Sequence, residues 1–151
     1  MKKTRKILIA DDERFIRKLT TRILKGEGFD VIPAENGTRA IDLFNANSDD
    51  IFMAVLDIRM PDITGIDVYR HIYSNNPNIR VILCSGYGDD DVPPDCRQNF
   101  IQKPFSLGDF VSTVRRVLEK SDEEIRENNS KILSYNRKDE DIIHELEIKG
   151  P

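Results

Sequence analysis

Apolar and polar residues follow two different periods along the first 120 positions of this chain. Short apolar runs, of which Ile7–Ala10 is the clearest, have the length and character of strands that are buried on both faces. The segments between them repeat apolar residues every three or four positions, which is typical of amphipathic helices. The pattern predicts strands at 5–10, 30–34, 51–56, 79–85 and 100–102, with helices between them.

The predicted helices carry recognisable start and stop signals. In the segment from Glu13 to about Lys25, one helical face holds the apolar side chains, namely Phe15, Ile16, Leu19, Ile23 and Leu24. Gly26 and Gly28 end this helix. Ser106 is placed to cap the last helix of the body, with Asp109 in the position that a capping box gives to Glu.

Strands that alternate with helices at this spacing predict parallel pairing and right-handed crossovers. We therefore expect an α/β fold, a doubly wound five-stranded parallel sheet between two layers of helices. One connection departs from the regular pattern, because Pro93 and Pro94 lie between the fourth and fifth strands. Tandem prolines oppose a full helix, so the fourth helix should be short or irregular.

Composition narrows the classes of protein that fit this pattern. With 151 residues, 38% of them hydrophobic and 33% charged, the chain can form one packed domain. Its apolar runs are too short to cross a membrane and no export signal is evident, so we expect a cytoplasmic protein. Cys84 and Cys96 have no metal or redox spacing. The net charge of −4 offers no basic face for nucleic acid.

Candidate chemistry is concentrated where the predicted strands end. Asp11, Asp12 and Glu13 follow the first strand, Asp57 the third, Ser85 ends the fourth, and Lys103 follows the fifth. In a parallel sheet these ends meet at one edge. Clustered carboxylates suit a hard cation such as Mg²⁺. A lysine ammonium and a serine hydroxyl suit the oxygens of a phosphoryl group.

These motifs, in this order, resemble the receiver domain of two-component response regulators, the CheY-like family. The resemblance covers about residues 4–120. It rests on four segments: Ile9–Glu13, Leu56–Asp62 with Gly65, Cys84–Tyr87 and Lys103–Phe105. It implies a flavodoxin-like sheet with strand order 2-1-3-4-5.

The resemblance also implies roles for the clustered residues. Asp57 would be the phosphoacceptor, receiving a phosphoryl group from a histidine kinase or a phosphotransfer protein. Asp11, Asp12 and Asp57 would bind Mg²⁺, together with the backbone carbonyl of Arg59. Phosphoryl transfer to Asp57 requires no general base, because a carboxylate is already ionised near neutral pH.

Ser85 and Lys103 would each contact a phosphoryl oxygen, and Ser85 would move when Asp57 is modified. The resemblance makes the Lys103–Pro104 bond a candidate cis peptide. Phe100 stands at the position of an aromatic switch, where it could act only through packing. Arg59 and Tyr87 are large side chains that we expect to restrict access of water to the site and to slow autodephosphorylation.

Other functions remain open at this point. The chain could be a dimeric adaptor, or the N-terminal part of a larger regulator whose output domain lies elsewhere. An aspartyl-phosphate phosphatase also uses a nucleophilic Asp and Mg²⁺, but requires a second Asp two positions later, where Arg59 stands. We therefore expect self-catalysed phosphotransfer to Asp57 rather than enzymatic turnover.

Residues 121–151 differ from the body, which we take as residues 1–120. The tail has 9 acidic and 5 basic side chains, whereas the body is balanced. We expect an acidic helical tail or linker that extends the C-terminal helix. Its positions at alternating steps of three and four form a coiled-coil-like seam with polar faults: Leu118, Ser121, Ile125, Asn128, Ile132, Tyr135, Asp139, Ile142 and Leu146. The seam predicts a weak homodimer, and the alternative is a helix that folds back on the body.

Overall fold

The structure, a computed structural model, describes residues 5–86, 99–131 and 133. From residue 6 to residue 85, strands and helices alternate along the chain in the predicted order. The strands are β1 (Lys6–Ala10), β2 (Asp30–Ala34), β3 (Ile51–Asp57), β4 (Arg80–Ser85) and β5 (Phe100–Gln102). The helices are α1 (Arg14–Gly26), α2 (Gly37–Asn47), α3 (Gly65–Asn75), α4 (Leu107–Glu119) and a further helix over residues 122–131, here called α5. Within these ranges, none of the helices has the length and apolar character needed to cross a membrane.

The five strands form one parallel sheet in the order β2-β1-β3-β4-β5. This confirms the doubly wound, flavodoxin-like fold. Because every strand runs in the same direction, all five carboxyl ends lie at one edge of the sheet. The segment with Pro93 and Pro94, for which a short or irregular helix is predicted, lies outside the described residues.

The sheet separates two apolar clusters. On one face α2 and α3 contribute Phe44, Tyr69 and Ile72, and on the other face α1 and α4 contribute Leu24 and Phe110. From Met53 to Leu56, successive residues of β3 alternate between the clusters, as the period of two of a strand requires. Both faces of the sheet are therefore covered by helices, which is why its strands are nearly continuously apolar in sequence.

One residue of the predicted helix face does not join the core. Phe15 is 74% exposed, whereas Leu24 is buried. At 100° per residue, Phe15 lies at the margin of the apolar stripe, so the helix can bury the other members of the stripe only by leaving Phe15 in solvent. Phe15 therefore belongs to the predicted apolar face of α1 but remains exposed to solvent.

The C-terminal helix is not continuous, which corrects the expectation of one extended helix. α4 ends at Glu119, and Lys120 has extended backbone angles. The Ser121 hydroxyl then accepts a hydrogen bond from the Glu124 amide at 3.2 Å, which starts a new helix. The Ser-x-x-Glu sequence at 121–124 is a capping-box signal, and it outweighs the tendency of the surrounding residues to continue the helix.

The new helix, α5, packs back on the body. Ile125 is buried in the cluster beneath α1 and α4, and Leu133 contacts the cluster beneath α2 and α3. Leu118 also packs within the body, so the first apolar positions of the predicted dimer seam already have partners in the same chain. Ile132 and the seam positions from Tyr135 onward lie outside the described residues, and dimerisation through the tail stays a prediction.

Candidate phosphorylation site

Asp11 is held firmly at the end of β1. Its backbone amide donates to the carbonyl of Ala34, and its carbonyl accepts from Nη1 of Arg17 at 2.7 Å. Its carboxylate accepts from the amide of Glu13 at 2.9 Å. The side chain is buried, while the adjacent Asp12 is exposed. The pair therefore presents one fixed and one solvent-facing carboxylate at the same edge.

Asp57 ends β3 and is only 5% exposed. The loop that follows is closed by two backbone hydrogen bonds, from Ile58 to the carbonyl of Cys84 and from Gly65 to the carbonyl of Ile58. The Gly65 backbone lies so close to the carbonyl oxygen of Asp57 that a Cβ there would collide with it. Glycine is thus required at residue 65 by this close approach.

The same loop is tied to α2 by Asp62. Its two carboxylate oxygens accept hydrogen bonds from the amides of Gly37 at 3.0 Å and Thr38 at 2.7 Å. Hydrogen bonds from the side chain and backbone of Thr38 hold the pKa of Asp62 well below its usual range. Sequence reasoning assigned Asp62 no role, because its partners at the helix start are 24 and 25 positions away.

Three carboxylates meet where the sequence placed a metal site. One ligand oxygen from each of Asp11, Asp12 and Asp57 lies within 4.8 Å of the others. Oxygens from three carboxylates are the donor set that hard divalent cations prefer, so these residues fit Mg²⁺. The loop closure after Asp57 also brings the backbone of Arg59 to this site, with its amide donating to Oδ1 of Asp57 at 3.3 Å.

Lys103 lies between the carboxylates. Its Nζ is 2.8 Å from Oδ2 of Asp11, 3.2 Å from Oδ2 of Asp57 and 3.2 Å from Oε1 of Glu13. Its backbone amide donates to the carbonyl of Ser85, and the peptide bond to Pro104 is cis. Glu13 is thus a third carboxylate partner of Lys103. The position of Glu13 in the segment Ile9–Glu13 did not predict this contact.

The electrostatics of the site reflect burial and crowding. Burial, opposed by the charge of Lys103 and supported by that of Asp11, raises the pKa of Asp57 to about 6. Burial also raises the pKa of Asp11. For Lys103, burial acts against the charged form, but the hydrogen bond and charge of Asp11, with the charge of Asp57, raise its pKa above the ordinary value. The site thus holds more negative charge than one ammonium neutralises.

A cavity of 430 Å³ gives access to this cluster. Asp57 and Lys103 line it together with Arg59 and Pro104. Arg59 is exposed, and its role in restricting access stays a prediction, whereas Tyr87 lies outside the described residues. Ser85 is fully buried at the end of β4.

Phe100 occupies a different environment from the cluster. It is buried in the apolar cluster beneath α2 and α3 rather than among the carboxylates. The structure therefore brings together Asp11, Asp12, Asp57 and Lys103, and it places the predicted aromatic switch in the core behind them.

Comparison with known proteins agrees with this geometry. The chain is 33% identical over 118 residues to the chemotaxis protein CheY of Bacillus subtilis, covering 75% of this chain and 97% of that one. It is 32% identical over 120 residues to the sensor kinase CckA of Brucella abortus, covering 77% of this chain but spanning only 13% of that protein. Among solved structures, CheY in the CheX–CheY–BeF3–Mg²⁺ complex from Borrelia burgdorferi is similar, with a TM-score of 0.70 and 32% identity over 77% of this chain and 90% of that chain.

The sequence profile described as the response regulator receiver domain matches residues 7–115, and this range contains the whole carboxylate and lysine cluster. The match, the parallel sheet in the order 2-1-3-4-5 and the identity to CheY agree with one another. The chain therefore belongs to the response regulator receiver family of two-component systems.

Proposed function

We propose that this chain accepts a phosphoryl group on Asp57 and signals by a change of conformation. The observation that carries the proposal is the buried Asp57 carboxylate, which shares Lys103 with Asp11 at the base of a cavity. A structural ion pair would match charges, whereas this cluster has an excess of carboxylates. Such an excess favours binding of a cation, and a bound cation would in turn offset the charge of a phosphoryl group that engages the lysine.

In the proposed reaction, an oxygen of Asp57 attacks the phosphorus atom of a phosphohistidine. The new P–O bond forms as the P–N bond breaks, and the electron pair leaves on the imidazole, which takes up a proton. Lys103 exchanges a carboxylate partner for a phosphoryl oxygen and stabilises the charge that develops there. Ser85 donates a hydrogen bond to another phosphoryl oxygen.

Asp11, Asp12, Asp57 and the carbonyl of Arg59 would hold Mg²⁺ in this scheme. When bound, Mg²⁺ supplies the positive charge that lets the phosphoryl oxygens approach the carboxylates. The three carboxylate oxygens within 4.8 Å of one another support this assignment. The magnesium and BeF3 named for the CheY complex from Borrelia burgdorferi support it by analogy.

The phosphoryl donor in this proposal is a histidine kinase or a phosphotransfer protein in the cytoplasm. The resemblance to a segment of the sensor kinase CckA supports a kinase-linked pathway. Catalysis is confined to the chain's own Asp57, with slow autodephosphorylation afterwards. Ser85 and Phe100 are the residues through which we expect the modification to be sensed.

The test uses acetyl phosphate as a small phosphoryl donor. Intact mass spectrometry should show the gain of one phosphoryl group in the wild type with Mg²⁺, and none with Mg²⁺ removed by EDTA. Asp57→Asn should gain nothing. Asp42→Asn, which changes an exposed aspartate on α2, is the matched control and should behave like the wild type. Equal gain in Asp57→Asn and the wild type would refute the assignment.

A further inference from the structure

The tail helix α5 is docked at the edge of the sheet opposite the phosphorylation site. Asn129 is 1% exposed, and its amide nitrogen donates to the carbonyls of Pro77 at 2.9 Å and Ile79 at 3.1 Å. Its side-chain oxygen accepts from the hydroxyl of Tyr69 at 2.7 Å. Pro77 and Ile79 immediately precede β4, so this contact lies at the amino end of the strands. These three hydrogen bonds are short, and those to Tyr69 and Ile79 are buried, so together they fix α5 in one orientation.

A second junction joins α5 to β5 through Asn99. The buried Asn99 side chain donates to the carbonyl of Val81 at 3.0 Å. Its oxygen accepts from Nζ of Lys120 at 3.3 Å and from the amide nitrogen of Asn128 at 3.5 Å. These last two distances are at the long end of the hydrogen-bond range, so this junction is weaker than the one at Asn129.

β5 connects this weak junction to the phosphorylation site. The strand contains only three residues, with Asn99 directly before it and Lys103 directly after it. Four residues of extended chain span about 13 Å. Lys103 contacts Asp57 at one end of this span, and Asn99 contacts the tail at the other.

β5 is also an element that can shift at low cost. Among the described residues it is an edge strand, which pairs with β4 through three residue pairs. A displacement of Lys103 along the strand direction is opposed by few backbone hydrogen bonds. It would be passed directly to Asn99, because the three residues between them form a continuous strand.

We propose that α5 is an output element of this receiver, and that phosphorylation of Asp57 loosens it through β5. The inference rests on the proposed function, since it requires a phosphoryl group on Asp57. The group draws Lys103 toward its oxygens, β5 follows, and Asn99 separates from Lys120 and Asn128. The long hydrogen bonds break first, and α5 is then held to the body by fewer contacts.

The experiment is hydrogen–deuterium exchange on the full chain, read by mass spectrometry for peptides covering 122–131. The protein is compared before and after treatment with acetyl phosphate and Mg²⁺, and intact mass gives the fraction phosphorylated. We expect exchange in this helix to rise about threefold or more on phosphorylation. Exchange within α2, which is remote from β5, should not change. Asp57→Asn given the same treatment should show no increase.

Asn128→Ala tests the route. The half-buried Asn128 side chain donates a hydrogen bond from the tail to Asn99. Its removal should therefore raise hydrogen–deuterium exchange of α5 in the unphosphorylated protein. Phosphorylation should then add less than about twofold, because part of the junction is already broken. Glu127→Ala, at the exposed neighbouring position, should respond like the wild type.

Three results overturn the inference. Unchanged or slower exchange of α5 in protein shown by mass to be phosphorylated refutes it while leaving the proposed function intact. A full wild-type response in Asn128→Ala refutes the route through β5. No phosphorylation of the wild type at all refutes both the inference and the proposed function.

Discussion

Buried polar groups are paired in opposite ways at the two ends of the parallel strands, here called the carboxyl edge and the amino edge of the sheet. At the carboxyl edge, Asp11, Asp57 and Lys103 are crowded together with more negative than positive charge. At the amino edge, Asn129 matches its donors and its acceptor to three neutral partners at 2.7 to 3.1 Å. The first arrangement is costly until a cation is bound, whereas the second is complete within the chain.

The physical reason is that a buried charge must be neutralised, while a buried amide needs only hydrogen bonds. Burial raises the pKa of Asp57 to about 6, a direct sign that the folded state disfavours its ionised form. Asn129 carries no such penalty. We therefore expect substitutions at the two edges to change stability in opposite directions, and the following predictions test that contrast.

The largest effect is expected from Asn129→Ala at the amino edge. The change leaves the hydroxyl of Tyr69 and the carbonyls of Pro77 and Ile79 without this partner, and it opens a cavity. We expect the free energy of unfolding to fall by about 2–4 kcal/mol. Urea denaturation measures it, with the half-buried Asn128→Ala as control, for which a loss below about 1 kcal/mol is expected. Equal losses in both variants would mean that the buried hydrogen bonds of Asn129 add no more stability than the contact made by Asn128.

At the carboxyl edge, Asp57→Asn should stabilise the metal-free protein by about 1–3 kcal/mol above pH 7. The pKa of Asp57 rises on folding from 3.8 to about 6, so the folded state binds the proton more tightly. The contribution of this group to stability is fully present below pH 3.8 and is lost as the pH rises through about 6. The gain in Asp57→Asn should therefore shrink as the pH is lowered from 7 to 4. Urea denaturation over this pH range measures it, and a pH-independent difference contradicts the electrostatic explanation.

Magnesium should supply part of the stability that the carboxyl edge lacks. At a free concentration ten times the dissociation constant, a ligand bound only by the folded state adds about 1.4 kcal/mol to the free energy of unfolding. Thermal unfolding with and without MgCl₂ measures this gain. It should be lost or much reduced in Asp12→Asn and retained in Asp42→Asn. A similar gain in both variants would place the stabilising cation elsewhere.

The smallest effect is expected at the rim of the cavity. Arg59 is exposed and lines the opening to Asp57, so Arg59→Ala should admit water more readily. We expect autodephosphorylation to become roughly two- to fivefold faster, a change in barrier of under about 1 kcal/mol. Loss of the phosphoryl mass after removal of acetyl phosphate gives the rate. Arg39→Ala, an exposed arginine on α2, should decay like the wild type, and a decay in Arg59→Ala no faster than that control refutes shielding by Arg59.

The local sequence determined the alternation of strands and helices, because apolar periodicity and capping residues act over a few positions. It also placed Asp11, Asp12, Asp57 and Lys103 at one edge, since parallel strands leave no other arrangement for residues that follow their carboxyl ends. The sequence did not show that Phe15 stays in solvent, because a stripe of apolar residues does not reveal which of its margins the sheet covers. The sequence contained two conflicting signals near Lys120. The capping-box residues Ser121 and Glu124 favour the start of a new helix, whereas the periodic seam favours one long helix.

Tertiary structure alone decided the contacts between residues that are distant in the chain. Asp62 reaches amides 24 and 25 positions earlier, and Asn129 reaches Tyr69 across 60 positions. No local pattern encodes such pairs, because each depends on how the loops approach one another after the sheet has formed. The same is true of the path from Lys103 to Asn99 and the tail. It exists because β5 is three residues long and lies at the edge of the sheet, with a different partner at each of its ends.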